Sequence, residues 1–294
     1  MDEREWLTDQ FNRHRSHLRG VAYRMLGSVG DADDALQEAW IRVRAHDTTS
    51  VENMQAWLTT VVGRVCLNML RSRRRYDTFS DLDVHVPDPV VAFEGAGDPE
   101  QQSLIADSVG LALQVVLDSL NPAERLAFVL HDIFGVPYSE IAAVLDRSES
   151  AAQQLASRAR RRVRGVPEPD ADLERQKVVV GAFFAASRDG DFAALLEVLD
   201  PEVELRIDGG ALRKSSSLVL HGADAVAAHT ATYSRWSSLV RPALVNGAAG
   251  ALVATRDRVL SVMAFTVADG RIVQIDALMD PERLAPLRSL LSGT

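Results

Sequence analysis

Ser150, Gln153, Gln154, Ser157, Arg158 and Arg161 recur through the stretch ESAAQQLASRARRRV, and on a helix that spacing puts them on one face. Hydroxyl, amide and guanidinium groups so arranged can read a duplex: glutamine pairs with adenine through two hydrogen bonds, and arginines neutralise phosphates. Such work is binding and needs no covalent step. Ala152, Ala156, Ala159 and Val163 fall on the other face at steps of four, three and four, which suits packing. An ordinary helical hairpin with a solvated basic face has the same pattern.

The elements that must position this face are local. Ser139 is a cap for a first helix whose Ile141, Ala142 and Leu145 repeat at helical spacing; Asp146-Arg147 interrupts it and Ser148 starts the second, with Glu149 at the positive end of its dipole. Upstream, Asn121-Pro122 is a capped start for a helix from Ala123 to Phe134, preceded by another from about Ser103 to Leu120.

Three further helices open the chain. The first runs from Trp6 to Leu26 and stops at Gly27; in the second, Asp31 is the expected cap, with Leu36, Trp40 and Val43 as a buried seam and Asp33, Asp34, Gln37, Glu38 and Ile41 outside. The third, MQAWLTTVVGRVCLNMLRSRRRY, ends in Arg71, Arg73, Arg74, Arg75 and Tyr76. Arginines beside aromatics can hold a melted DNA strand by phosphate pairing and stacking, and they equally complement a helix dipole.

With 294 residues and 47% hydrophobic content the chain can fill two or three small domains. The net charge of −9 misleads, because residues 77–108 hold eight acidic residues and no lysine or arginine. That stretch reads as an acidic linker, extended around Val86-Pro87-Asp88-Pro89, while 147–164 carries six arginines against one glutamate. The single cysteine, Cys66, excludes an internal disulfide and reads as core. Neither a signal peptide nor a stretch long enough to span a bilayer is visible, so the expected location is cytoplasmic, with no membrane partner.

Past Pro167-Glu168-Pro169 the pattern changes. A helix with Val179, Val180, Phe183 and Phe184 on one side, a shorter one over Phe192–Leu199 and a third from Ala223 to Trp236 accompany segments of period-two apolarity at 203–207, 241–246, 251–255, 259–267 and 271–278. Asn246-Gly247 and Asp269-Gly270 supply hairpin turns. Helices followed by a curved antiparallel sheet make an α+β cone.

The order DADDALQEAW, AWLTTVVGRVCLNMLRSRRR, an acidic linker, LNPAERLAFVLHDIFGVPYSEIAAVL and SRARRRVR resembles the bacterial extracytoplasmic-function sigma factors over Trp6–Gly165. The resemblance implies two all-α modules: region two, a helical bundle over 1–76, and region four, a helix-turn-helix over 109–165, with 77–108 between them. It implies core RNA polymerase and promoter DNA as partners. Contact with the beta-prime clamp helices falls to Asp34, Gln37, Glu38 and Ile41, and region four also meets the beta flap. Work at the minus-ten element falls to Arg64, Asn68, Arg71 and Arg74, and reading of the minus-thirty-five element to Ser150, Gln153, Gln154, Ser157, Arg158 and Arg161. Gly63-Arg64 stands where the family commonly has Arg-Asn, and Gln153-Gln154-Leu155 where Lys-Ser-Arg is frequent. No catalytic residue, metal or cofactor is implied.

Residues 166–294 resemble the SnoaL-like members of the nuclear-transport-factor-two (NTF2) and ketosteroid-isomerase superfamily, which one group of these sigma factors carries as a fused domain. Three motifs of that group have counterparts in His85-Val86-Pro87-Asp88-Pro89, in the loop from Asp208, Gly209 and Gly210 to Arg213 and Lys214, and in Asp280-Pro281-Glu282-Arg283-Leu284. The resemblance implies a domain that modulates sigma activity in cis through that loop, with a small molecule in its pocket as a further partner. Asp208, His221, His229, Tyr233, Arg256 and Asp276 are the polar candidates for the pocket. The alternative is a DNA-tethered enzyme of isomerase or cyclase type, in which an aspartate moves a proton beside a carbonyl.

Overall fold

The structure is a computed structural model and describes residues 3–46, 48, 51–76, 84–93, 110–165, 169–210, 216–232 and 234–293. The chain divides into two compact units, Met1–Ser80 with Val116–Gly165, and Asp81–Val115 with Val166–Thr294. Among the described residues no helix is long and apolar enough to cross a membrane.

In the first unit, α1 (Glu3–Leu26), α2 (Val29–Val43) and α3 (Met54–Tyr76) pack by their apolar stripes. Leu18, Met25, Leu36, Leu58 and Leu67 are fully buried there. Gly27 ends α1 with φ +73, a left-handed conformation that glycine adopts at little cost. The cap of α2 is Ser28 and not Asp31: its Oγ accepts from the Asp31 amide at 3.4 Å. Asp31 lies one turn in, where it pairs with Arg73. Cys66 is packed in the core, and burial pushes its thiol up to about 12.

The remaining helices of this unit are α4 (Leu111–Ser119), which runs into it, α5 (Pro122–Phe128), α6 (Tyr138–Leu145) and α7 (Glu149–Val163). Asn121 caps α5 as expected, accepting from the Glu124 amide at 2.9 Å. The expected straight helix to Phe134 instead widens into a π-helical turn over Val129–Ile133. The chain folds back on that turn: the Val136 amide donates to the Leu130 carbonyl at 2.8 Å, and Gly135 takes φ +68. Pro137 occupies the N-cap of α6 and offers no side-chain cap, so Ser139 does not serve there. The proline's φ of −60 presets the first turn without one.

Gly63 lets α3 lie close to α5. A Cβ at that position would stand 3.1 Å from Leu130 Cδ1 and 3.3 Å from Leu126 Cδ1. Arg125 is buried beside them, its Nε donating to the Arg24 carbonyl at 2.9 Å and its Nη1 pairing with Asp118. Two modules read as separate in the sequence thus share a core within one unit.

The second unit is a seven-stranded sheet backed by helices, the α+β cone. Its strands are β1 (Val91–Ala92), β2 (Leu199–Asp208), β3 (Leu218–His221), β4 (Val240–Val245), β5 (Ala248–Ala254), β6 (Val259–Ala268) and β7 (Arg271–Leu278), in the order β1-β4-β5-β6-β7-β2-β3. The sheet is mixed, not wholly antiparallel, because β2 lies parallel to β7. Register shifts in β2, β5 and β6 mark bulges, which bend a sheet. The two hairpin turns form as expected, with positive φ at Asn246-Gly247 and Asp269-Gly270.

Helices α8 (Leu173–Asp189), α9 (Phe192–Val198) and α10 (Ala223–Ala231) pack against one face, where Phe183 and Phe265 meet edge-on at 5.3 Å. A 3₁₀ turn over Ser234–Leu239 follows α10, which is shorter than expected, and α11 (Pro281–Leu284) follows β7. Strand β1 comes from the stretch read as a linker. Its described part, 84–93, is docked and not a free tether, with Val86, Val90 and Val91 buried. Those valines offset the cost of ordering a proline-rich, acidic segment.

Candidate nucleic-acid interface and linker clasp

Helix α7 divides its side chains cleanly. Ser148 caps it, accepting from the Ala151 amide at 3.3 Å. Ala152, Leu155, Ala156 and Ala159 are buried, Leu155 being the member that the four-three-four spacing misses while Val163 is only partly covered. Ser150, Gln153, Gln154, Ser157, Arg158 and Arg161 are all exposed, on the opposite side. The arginine run at the end is not one surface. Arg160 Nε donates to Asp132 Oδ1 at 2.7 Å and its guanidinium also meets the Tyr138 hydroxyl, while Arg162 pairs with the buried Glu124 carboxylate at 3.2 Å. Arg160 and Arg162 therefore anchor the helix, and Arg158 and Arg161 point away from it.

On α2, Asp34, Gln37, Glu38 and Ile41 form a continuous exposed face, and Ile41 is 64% exposed despite being apolar. Glu38 is oriented by Arg42 one turn on, at 2.9 Å. Arg19 holds α2 from behind, its Nε and Nη2 donating to the two oxygens of Asp33 at 2.7 and 2.8 Å. On α3, Arg64, Asn68 and Arg71 are exposed; the side chain of Arg74 lies outside the described residues. Arg64 is engaged within the unit, its Nη2 donating to the Ala143 carbonyl of α6 at 2.8 Å. A cleft of about 750 Å³ opens beside that bond, with Trp57, His46 and Asn53 on one wall and Glu140 and Ala143 on the other. Trp57 sits on the apolar stripe of α3, so its sequence position gave no hint of a cleft.

In the second unit three distant motifs meet. Asp208 Oδ2 accepts from the Val86 amide at 2.9 Å and from Arg283 Nη1 at 2.8 Å. Arg283 also donates through Nε to Asp88 Oδ1 at 2.6 Å and through Nη2 to the Val86 carbonyl. The other oxygen of Asp208 accepts from the Gly210 amide at 2.9 Å. Gly210 has φ +75, and a Cβ there would fall 2.1 Å from Asp280 Oδ2, so only glycine fits. Asp280 in turn caps α11, accepting from the Glu282 amide at 2.9 Å. Further along the docked segment Val90 and Asn246 exchange two bonds, at 2.9 and 2.8 Å. Arg213 and Lys214 lie outside the described residues.

The cone encloses a cavity of about 360 Å³ between the helices and the sheet, lined by Phe183, Phe184, Leu205, Trp236, Met263 and Ile275 among others. Of the five polar candidates among the described residues, His229 alone lines it. Burial pushes its imidazole below the usual value, which favours the neutral ring. Asp208 belongs to the clasp, His221 is exposed beside Glu204, and Arg256 is exposed. Asp276 is 1% exposed but sits on the other face of the sheet from Ile275 and Ala277, bonded to Gln274 at 2.8 Å. Tyr233 lies outside the described residues. The strand alternation thus turns both candidate aspartates away from the cavity, and the general base of an isomerase-type reading has no carboxylate among the described lining.

A helix-turn-helix with an outward-facing polar and basic surface, packed with a helical bundle that bears an acidic-apolar face, has the make-up of a sigma-70-type initiation factor. Residues 10–76 match the family model for sigma-70 region 2, and residues 110–163 that for sigma-70 region 4. The ECF RNA polymerase sigma factor SigJ of Mycobacterium tuberculosis is 36% identical over 95% of this chain and 94% of its own length. The probable ECF RNA polymerase sigma factor SigI of the same species is 35% identical over the whole of both chains. The crystal structure of SigJ is similar with a TM-score of 0.76 at 35% identity, over 95% of this chain and 98% of that one. The chain belongs to the extracytoplasmic-function sigma factors, and it acts in promoter-specific transcription initiation by RNA polymerase.

Proposed function

We propose that the exposed face of α7 reads the minus-thirty-five element through Ser150, Gln153, Gln154, Ser157, Arg158 and Arg161. The observation that carries this is the sorting of α7: every one of those six is exposed, while Arg160 and Arg162 are spent on internal anchors. Arg64, Asn68, Arg71 and Arg74 of α3 serve the minus-ten element, and Arg64 leaves Ala143 when they do. Asp34, Gln37, Glu38 and Ile41 meet the beta-prime clamp helices of core polymerase; the last supplies apolar contact that water otherwise faces. The site is cytoplasmic, where polymerase and promoter are.

The second unit modulates this activity in cis. Its clasp of Asp208, Arg283 and Asp88 holds the segment between the two sigma regions, so releasing the segment changes how freely those regions can separate. A small molecule in the cone's cavity acts on the same clasp. The domain works by binding and not by turnover, since neither candidate aspartate lines the cavity.

Run-off transcription with core polymerase on a cognate promoter tests the reading. The Asp34→Lys, Glu38→Lys double variant is expected to lose core-dependent transcript while keeping its helical circular dichroism. Arg283→Ala is expected to change transcript yield with the promoter sequence preference unaltered. Full activity of the charge-reversed protein would overturn the polymerase face, and unchanged output from Arg283→Ala would overturn regulation by the clasp.

A further inference from the structure

The cavity of the second unit and the clasp share a wall. Met279, Pro281 and Leu284 line the cavity, and between them in sequence stand Asp280, against which Gly210 packs, and Arg283, which grips Asp88, Val86 and Asp208. Anything that fills the cavity therefore presses on the short helix α11 that presents Arg283 to the docked segment. On β2, Ile207 lines the same cavity and precedes Asp208, which accepts from the Val86 amide, so the wall meets residues 84–93 from two sides.

The lining also selects what fills it. Phe183, Phe184, Trp236, Met263 and Ile275 make it mostly apolar, and Ser187 and Ser261 are the hydroxyls buried beside them. Among the described lining residues Arg258 is the single formally charged side chain, exposed on the turn between β5 and β6, and there is no carboxylate to oppose an anion. His229 contributes an imidazole that burial holds towards its neutral form. At about 30 Å³ for each water-sized group, a cavity of about 360 Å³ takes roughly a dozen non-hydrogen atoms. The chemistry that fits is a compact apolar body with one negative group reaching the mouth.

Resting on the regulatory reading of the clasp, we propose that the cavity binds a small apolar monocarboxylate whose carboxylate pairs with Arg258, and that occupancy shifts the hold of α11 on residues 84–93. Decanoate and decanol, alike in chain and different in charge, are the probes. With the full-length protein, isothermal titration calorimetry is expected to show decanoate binding and about tenfold weaker binding of decanol. Arg258→Gln brings decanoate down to the level of decanol and leaves decanol unchanged. Met263→Trp, which fills the cavity, abolishes both. Hydrogen exchange of the Val86 and Val90 amides is expected to change with decanoate in the parent and not in Met263→Trp.

Equal binding of the two probes by the parent, or indifference to Arg258→Gln, would overturn the charge assignment. Absence of binding by either probe would overturn the site. Binding with unaltered exchange at Val86 would overturn the coupling to α11. The clasp itself is judged separately by Arg283→Ala without ligand: if Val86 exchange is unaffected there, it is the clasp reading that fails, whatever decanoate does.

Discussion

Arg158 and Arg283 carry the same group and do opposite work. Arg158 stands exposed on α7 with its neighbours Gln153 and Gln154. Arg283 is three-quarters buried and donates to two carboxylates and a carbonyl from two separate stretches of chain. An outward guanidinium keeps its donors for a partner and contributes little to the fold, whereas an inward one has its donors committed and ties distant segments together. Substitutions should therefore separate the two classes: inward changes move stability and leave recognition alone, and outward changes do the reverse.

The largest effect is expected where an inward charge loses its partner. Arg283→Ala leaves the buried Asp208 carboxylate with the Val86 and Gly210 amides and the His85 ring at 3.6 Å but no guanidinium, and breaking such a pair costs about 3 kcal/mol or more. Chemical denaturation of the full chain should show that loss in the transition of the second unit. Limited proteolysis should then cut within 84–93, which the parent protects. A melting curve identical to the parent would mean that the clasp is a surface pair.

Next comes Asp276, an inward carboxylate without a full cation partner. Desolvation pushes it up to about 6, with the Gln274 amide and the Arg206 charge opposing and Glu204 adding to the rise. The sign is the reverse of a salt-bridged acid. The folded state binds the proton more tightly than the unfolded chain, so the contribution of this carboxyl to stability is greatest below about pH 4 and falls as pH rises towards 6. Asp276→Asn should remove that dependence and stabilise the protein by roughly 3 kcal/mol at pH 8, with little difference at pH 4. Melting temperatures across that range read it directly.

Outward substitutions should behave otherwise. Gln153→Ala is expected to cost about 2 kcal/mol of discrimination at one base pair, or roughly 30-fold, with an unchanged melting temperature. Competition run-off assays on promoters mutated in the upstream element measure it. Equal loss on every promoter would place Gln153 at a phosphate and not at a base.

The same division explains what the sequence discloses. Helical periodicity exposes the polar face of α7 because it depends only on neighbours three and four residues apart, and the six residues expected there are all exposed, as are Glu149 and Arg162. Local spacing cannot tell Arg158 from Arg160, whose partner Asp132 comes from the turn after α5. Nor could it place Asp208 and Asp276. Their side of the sheet follows from strand parity, and the β2–β7 pairing that sets it joins the first long strand to the last. Composition marked 77–108 as solvated, yet Val86 and Val90 carry the segment into the sheet's edge. The motif resemblance located the clasp's three parts, and their hydrogen bonds arise only in the fold, where positions 86, 208 and 283 meet.

Ser148 stands between the two classes and gives the smallest effect. Its hydroxyl accepts from the Ala151 amide within α7 while also lying 3.0 Å from Ser150 Oγ on the exposed polar face. Ser148→Ala should cost about 1 kcal/mol through the lost cap, visible as a lower denaturation midpoint of the first unit. Ser148→Asp restores an acceptor at the helix start, where a negative charge is favoured, and should recover that stability. If the N-terminus of α7 meets the DNA phosphates, the same charge should weaken promoter binding by a few-fold at low salt and less at high salt. Rescue of stability without rescue of binding would place the N-terminus of α7 against the DNA. Rescue of both would move the contact towards Arg158 and Arg161.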